Sequence, residues 1–294
     1  MSMVGKELGF KERHFEIDGR SFAARQWGKE GAPLLIALHG WLDNSASFNA
    51  LASLLDDYCV VALDFAGHGL SDFRPQGMAY YVWDNVSDVL AVAEQLQAEK
   101  FSILGHSMGA GVAALLAACY PEKVERLLLI EGIGPVVTEA EAAPGQLYRA
   151  LQKRARVRSR DVNTFASHQE AVLARCNGRW PVSVEAAGWL AERGVSSRLA
   201  GNGEDEYFWH HDPWLVLPSP VRLTEEQVQH FLRKITAPVT LVLGEQGIKQ
   251  CSDRIACLTA CEVFLFEGGH HLHMDPEMAK KIANCFTECE NSLQ

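Results

Sequence analysis

No run in the 294 residues comes near the 18 or so consecutive apolar side chains of a membrane helix, so a spanning protein is not expected. The opening stretch MSMVGKELGFKERHFEIDGR also lacks the apolar core of a secretory signal, and the reading is a soluble, cytoplasmic protein. Positive charge is scarce. The chain has 27 Lys and Arg against 37 Asp and Glu, a formal net charge of −10, and such a surface repels polyanions. A nucleic-acid partner is therefore not expected. Internal repeats, coiled-coil heptads and low-complexity segments are missing too.

CxxC pairs are also missing. The eight cysteines, at 59, 119, 176, 251, 257, 261, 285 and 289, are scattered through a chain too large to need disulfide staples, and they read as reduced thiols. Cys257 and Cys261, like Cys285 and Cys289, lie one helical turn apart, with His270, His271 and His273 between the pairs in sequence. That makes zinc worth weighing. Without a CxxC pair, and with another use for the histidines, no metal is expected.

Against these absences, 48% of the residues are apolar, enough for a full core in one large domain or two. Phe15 to Ile17, Asp18-Gly19 and Ser21 to Trp27 form a hairpin pattern, because Asp-Gly supplies the positive φ angles of a tight turn. Short apolar runs follow at Leu34 to Leu38, Cys59 to Leu63, Phe101 to Leu104, Val124 to Ile130, Val239 to Leu243 and Val263 to Phe266. Runs of this length suit strands buried on both faces, and Phe48 to Leu55, Val82 to Ala98 and Ala110 to Tyr120 carry helical spacing between them. The alternation predicts an α/β protein with a mainly parallel sheet covered by helices. From 134 to 222 the rhythm breaks, with six prolines, a basic run from Lys153 to Arg160 and no convincing strand. This reads as an inserted helical cap, leaving 1–133 and 223–294 as the core domain. The basic run could draw an anionic substrate tail, although such runs are usually solvated faces. Eight cap aromatics (Tyr148, Phe165, Trp180, Trp189, Tyr207, Phe208, Trp209 and Trp214) are expected to pack together, with a few lining a substrate pocket.

Gly105-His106-Ser107-Met108-Gly109 sits where the strand at Phe101 meets the helix near Ala110. In that context the G-x-S-x-G pattern marks a sharp turn that lifts a serine hydroxyl above the sheet, making Ser107 the candidate nucleophile. A serine needs a base, and Gly268-Gly269-His270-His271-Leu272-His273 follows the last strand. His270 is the best placed of the three histidines; His271 and His273 are expected to pack or hydrogen-bond in the loop. The oxyanion calls for backbone N–H donors. Met108 is one candidate, and Trp41, in the loop after Leu38, is the other. The Trp41 ring is also a candidate lid over the pocket.

With these motifs in order the chain resembles the α/β-hydrolase fold family over roughly Ala23 to the C-terminus. The resemblance rests on His39-Gly40, Asp64-Phe65-Ala66-Gly67-His68-Gly69-Leu70-Ser71, Gly105 to Gly109 and Gly269-His270. Within that family Gly40-Trp41-Leu42-Asp43-Asn44-Ser45, Asp212-Pro213, Leu217-Pro218-Ser219-Pro220 and Leu223-Thr224-Glu225-Glu226-Gln227 resemble the serine hydrolase-like proteins and their bacterial relatives. The resemblance implies an eight-stranded, mostly parallel sheet with a cap inserted after the sixth strand. Dehalogenases and epoxide hydrolases of this fold use an aspartate nucleophile, whereas position 107 is serine. Asp64 is read as a turn-capping carboxylate. In most relatives the acid that orients the histidine is an aspartate after the seventh strand, and here that position is Gly247. The fold's alternative place is the end of the sixth strand, where Leu127 to Ile130 is followed by Glu131. Glu245 and Asp275 are weaker candidates.

The expected activity is hydrolysis of a small-molecule carboxylic ester, or a related acyl bond, through an acyl-enzyme at Ser107, with no metal or organic cofactor. The same three residues would serve carbon-carbon bond hydrolysis of ring-cleavage products. A catalytically silent hydrolase-like binding protein is the alternative from outside the enzymes, suggested by the acid missing from its commonest place.

Overall fold

The computed structural model describes residues 9–157, 163–201, 203–250 and 252–291, with side chains in the last segment through 288. Cys251, the Cys289 side chain and the Arg158 to Arg160 end of the basic run lie outside the described residues. The strands are β1 (Lys11–Ile17), β2 (Arg20–Trp27), β3 (Leu34–Leu38), β4 (Cys59–Leu63), β5 (Phe101–His106), β6 (Val124–Ile130), β7 (Thr164–Phe165), β8 (Val195–Leu199), β9 (Asp205–Trp209), β10 (Val239–Gly244) and β11 (Cys261–Phe266). The longer helices are α1 (Asp84–Gln95), α2 (Met108–Cys119), α3 (Ala143–Arg156), α4 (His168–Cys176), α5 (Val184–Gly194), α6 (Glu225–Leu232) and α7 (Pro276–Asn291).

Eight strands form one sheet in the order β1-β2-β4-β3-β5-β6-β10-β11. The pairs β1/β2 and β2/β4 are antiparallel and the others parallel. Asp18 and Gly19, at φ 52° and 72°, make the two-residue turn between β1 and β2, the backbone a twisted hairpin requires. Along β3, Ile36 and Leu38 enter the core layer under α1, α2 and α6, while Leu35 and Ala37 enter the layer under α7. Burial on both faces is the reason these strands are unbroken apolar runs. At the strand ends the register sets His106 of β5 beside Ile130 of β6, and Ile130 beside Val242 of β10. Ser107 and Glu131, each one residue further on, therefore leave the same edge of the sheet on adjacent strands.

The insertion between β6 and β10 differs from the expected helical cap. Besides α3, α4 and α5 it holds an antiparallel sheet in the order β7-β9-β8. β7 is two residues long, and β8 reads VSSRL with its last three residues exposed, so neither gives the period-two apolar signal of a half-buried strand. The aromatic run Tyr207-Phe208-Trp209 in β9, of good strand-forming type, pairs with both. Two of the motifs quoted above fasten the insertion to the sheet domain. Asp212 Oδ2 accepts from the Tyr80 hydroxyl (2.7 Å), and Asn44 Nδ2 donates to Leu190 O in α5 (3.0 Å). A third, Thr224-Glu225-Glu226-Gln227, is the capping box of α6, whose Val228 and Leu232 pack into the main core.

Candidate active site

Ser107 occupies the turn from β5 into α2 with φ 51° and ψ −109°, a left-handed backbone that disfavours any side chain. The register holds it there: its N–H donates to Ile130 O (2.9 Å) and its C=O accepts from Gly111 N (3.2 Å). The glycines two before and two after answer to space. A Cβ at Gly109 would lie 1.9 Å from Leu38 O, and one at Gly105 2.7 Å from the Ala110 backbone, so α2 can approach the strands only where side chains are absent.

The loop after β11 brings His270 over this turn. Ser107 Oγ lies 2.9 Å from His270 Nε2, and His270 Nδ1 lies 3.0 Å from Glu131 Oε2. A carboxylate only accepts, so Nδ1 carries the proton and Nε2 is left to accept from the serine hydroxyl. Glu131, buried at φ 54°, is clamped further: its Oε1 accepts from Gly244 N (2.7 Å) and its Oε2 from Ile248 N (2.6 Å). The end of β10 and the turn after it, which could have carried an aspartate, thus each supply one N–H donor to this carboxylate. A Cβ on Gly247 would lie 2.2 Å from both Glu131 oxygens, so a side chain there would have to push the carboxylate out of its three hydrogen bonds. Of the weaker candidates, Glu245 is exposed, and Asp275 Oδ1 caps α7 by accepting from Glu277 N and Met278 N.

Met108 opens α2, where the first N–H groups have no intrahelical acceptor. The preceding loop is pinned by His39, fully buried: Nδ1–H donates to Gly40 O (2.7 Å) and Nε2 accepts from Phe65 N (3.0 Å). Burial lowers the His39 pKa, in keeping with the neutral ring that both bonds require. Trp41, 52% exposed, donates Nε1–H to Leu215 O of the insertion (3.0 Å).

Behind His270 lies a buried group that the sequence reading did not find. His106 Nε2–H donates to His270 O (2.8 Å), His271 Nε2–H donates to Asp43 Oδ2 (2.9 Å), and Arg175 from α4 donates to Asp43 Oδ1 (3.0 Å). Burial pushes the Asp43 pKa up, but His271, Arg175 and His106 outweigh it and hold the carboxyl well below its usual range. Burial lowers the pKa values of His106 and His273 well below the histidine norm and that of His68 to about 3. Among the described residues Asp43, His106 and His271 could between them offer a metal three ligand atoms within 4.8 Å of one another, and no cysteine belongs to such a group. The Arg175 guanidinium, 3.0 Å from both Asp43 Oδ1 and His271 Nε2, already supplies the countercharge there. No signal in a single sequence links Asp43, His106, Arg175 and His271, whose nearest pair in the chain is 63 positions apart and whose farthest is 228. The six described cysteines are free thiols.

Asp64 does cap its loop, accepting from Ser45 N (2.7 Å) and Leu70 N (2.9 Å), and it also binds Arg193 Nε of α5 (2.7 Å). Burial raises its pKa, while Arg193, His39 and the two N–H donors leave it below the ordinary value.

Ser107, Met108, Glu131 and Trp41 line a cleft of about 800 Å³. Its aromatic wall comes from Trp41, Tyr80, Tyr81 and Trp83, and none of the eight cap aromatics lines it, contrary to expectation. Of those rings, Trp209 and Trp189 pack in two small clusters with Ala187, Leu190 and Met274, and Trp180 lies 4.9 Å from the His270 ring.

The model of the alpha/beta hydrolase fold matches residues 33–176. A serine hydrolase-like protein of Dictyostelium discoideum is 34% identical over 273 residues, covering 87% of this chain and 75% of that one. A serine hydrolase-like protein of Danio rerio is 32% identical over 286 residues, covering 91% and 85%. Among solved structures, that of a hypothetical protein from Pseudomonas aeruginosa PAO1 matches with a TM-score of 0.89 at 42% identity, over 96% of this chain and 99% of that one.

Proposed function

The chain belongs to the serine hydrolase-like proteins of the α/β-hydrolase fold, and on that premise we propose that it hydrolyses a carboxylic ester, or a close acyl relative, through an acyl-enzyme at Ser107. The observation that carries the reading is the unbroken chain of contacts from Ser107 Oγ to His270 Nε2 (2.9 Å) and from His270 Nδ1 to Glu131 Oε2 (3.0 Å) at the wall of a large cleft. Ser107 Oγ attacks the carbonyl carbon while His270 takes its proton, and Glu131 steadies the imidazolium that forms. The Met108 and Trp41 N–H groups receive the oxyanion. His270 then passes the proton to the departing alcohol oxygen as the C–O bond breaks. A water molecule, deprotonated by the same ring, attacks the acyl-serine; the acid leaves and Oγ regains its proton. His106, holding the His270 carbonyl, is a positioning residue for the base.

Intact-mass analysis after treatment with a fluorophosphonate tests this. One adduct on the wild type and none on Ser107→Ala is the expected result, together with turnover of at least one nitrophenyl ester. Equal labelling of both proteins would remove Ser107 from the mechanism, and a folded protein that is neither labelled nor active would be a binding protein instead. Trp41→Phe, which keeps the ring but loses the bond to Leu215 O, is expected to cost about 1 kcal/mol. That corresponds to roughly fivefold in KM with kcat little changed. A fall in kcat with KM constant would count against the side chain acting through the cap.

A further inference from the structure

The cleft carries the opposite charge to the rest of the molecule. The chain has a net charge of −10, yet the cleft is lined by five basic residues and only two acidic ones. Both acids are already engaged. Glu131 is bound by His270 and two N–H groups, and Glu225 is held bidentate by Arg254, which spends its remaining donors on Ile133 O and Pro135 O. That leaves Lys153, Arg179, Arg222 and Lys249, none of which has an ion-pair partner among the described residues. They come from four separate places in the chain: α3, the link from α4 to α5, the approach to α6, and the turn after β10. A solvated helix face would place such charges at helical spacing on one element; here the fold gathers them from four around one opening. Val136, Val137, Leu215 and Val216 supply apolar wall beside them.

Resting on the reading of Ser107 as an acylating nucleophile, we infer that the substrate is an ester or thioester with an apolar body and an anionic group, a carboxylate or a phosphate, met by these four cations. Cations converging on a cleft concentrate an anionic ligand and raise its encounter rate by about 10 to 10³, an effect that falls steeply with ionic strength.

The test compares two nitrophenyl esters of equal acyl length, one neutral and one ending in a carboxylate, and an acyl-coenzyme A as the phosphate-bearing arm. Binding to Ser107→Ala protein is measured by calorimetry and turnover by the wild type, both at low and high salt. Expected is a preference for an anionic ligand over the neutral ester of about tenfold or more at low salt, lost at about 0.5 M salt and narrowed in Arg222→Gln/Lys249→Gln. The two anionic arms show whether the charge lies on the acyl part or the leaving group. Equal or tighter binding of the neutral ester would overturn the inference. Anion preference in binding with no turnover and no fluorophosphonate labelling would leave the charge selectivity standing and remove the hydrolase reading.

Discussion

Glu131→Gln is expected to slow acylation of Ser107 by roughly 10² or more, while Glu245→Gln leaves the rate unchanged. An amide has only one oxygen to offer three donors, so it either presents an NH2 group to a backbone N–H or leaves His270 Nδ1–H without its acceptor. Some loss of stability should accompany the kinetic effect, about 1 to 3 kcal/mol for a buried donor left unpaired. Stopped-flow acylation read beside urea unfolding separates the two. The neighbouring glycine gives a sharper test. Gly247→Asp drives a Cβ into both Glu131 oxygens and is expected to slow acylation as much as Glu131→Gln does, although it adds a carboxylate where the family resemblance implies one. Combined with Glu131→Ala, the same aspartate has room, and the double variant should regain about tenfold over Glu131→Ala alone, a coupling on the order of 1 kcal/mol. If Gly247→Asp and Glu131→Gln were each fully active, Glu131 would not be the acid.

A second large effect is expected in stability against pH. His39, His68, His106 and His273 are buried with pKa values pushed down, His68 to about 3, whereas in the unfolded chain each titrates near about 6.5. As pH falls below that value the unfolded chain binds protons that the folded state refuses, so their contribution is full above pH 7 and drains away toward pH 5. Each ring that stays neutral withdraws up to about 1.4 kcal/mol for every pH unit below the unfolded pKa, so several such rings are a large part of the 5 to 15 kcal/mol typical of a domain. Asp43 and Asp64, whose pKa values are lowered, lose their contribution only below about pH 4, so they do not share this window. Urea unfolding at pH 7.5, 6 and 5 should show the decline. His273→Leu should flatten it by about one proton, since neither nitrogen of that fully buried ring has a hydrogen-bond partner among the described residues. Stability constant from pH 7.5 to 5 would refute the assignment of these rings as neutral in the fold.

The parts of this molecule that can be read from one sequence are those in which burial imposes a pattern. Leu34–Leu38 and Cys59–Leu63 are legible to the residue because a strand covered on both faces has no polar alternation to blur its ends. Candidate site residues were legible wherever a motif fixes backbone geometry, as at Ser107, or where a gap in a family pattern directs attention to a neighbouring strand, as at Glu131. The small cap sheet was not, since β8 is largely exposed and owes its conformation to a partner strand rather than to its own pattern. Nor were Asp43, Arg175 and His106. Their pairing depends on side chains that only the finished fold brings together. The pocket aromatics were sought between 134 and 222 because that stretch is rich in rings, but Trp189 and Trp209 pack in small clusters there, Tyr148 is exposed, and the cleft takes its rings from the Tyr80 to Trp83 stretch and Trp41.

The clash between Glu131 and a side chain at 247 also bears on how such a site changes over generations. A lineage with glutamate on the sixth main-sheet strand that gains an aspartate at 247 jams both groups, and one that first loses the glutamate is left with no acid at all. Where His270 relies on that carboxylate, each single step is expected to lower activity, and passage between the two arrangements then calls for paired substitutions or a relaxed interval in which the activity is not under selection. Among descendants of a common ancestor, glutamate at the first position and glycine at the second should then be inherited as one character.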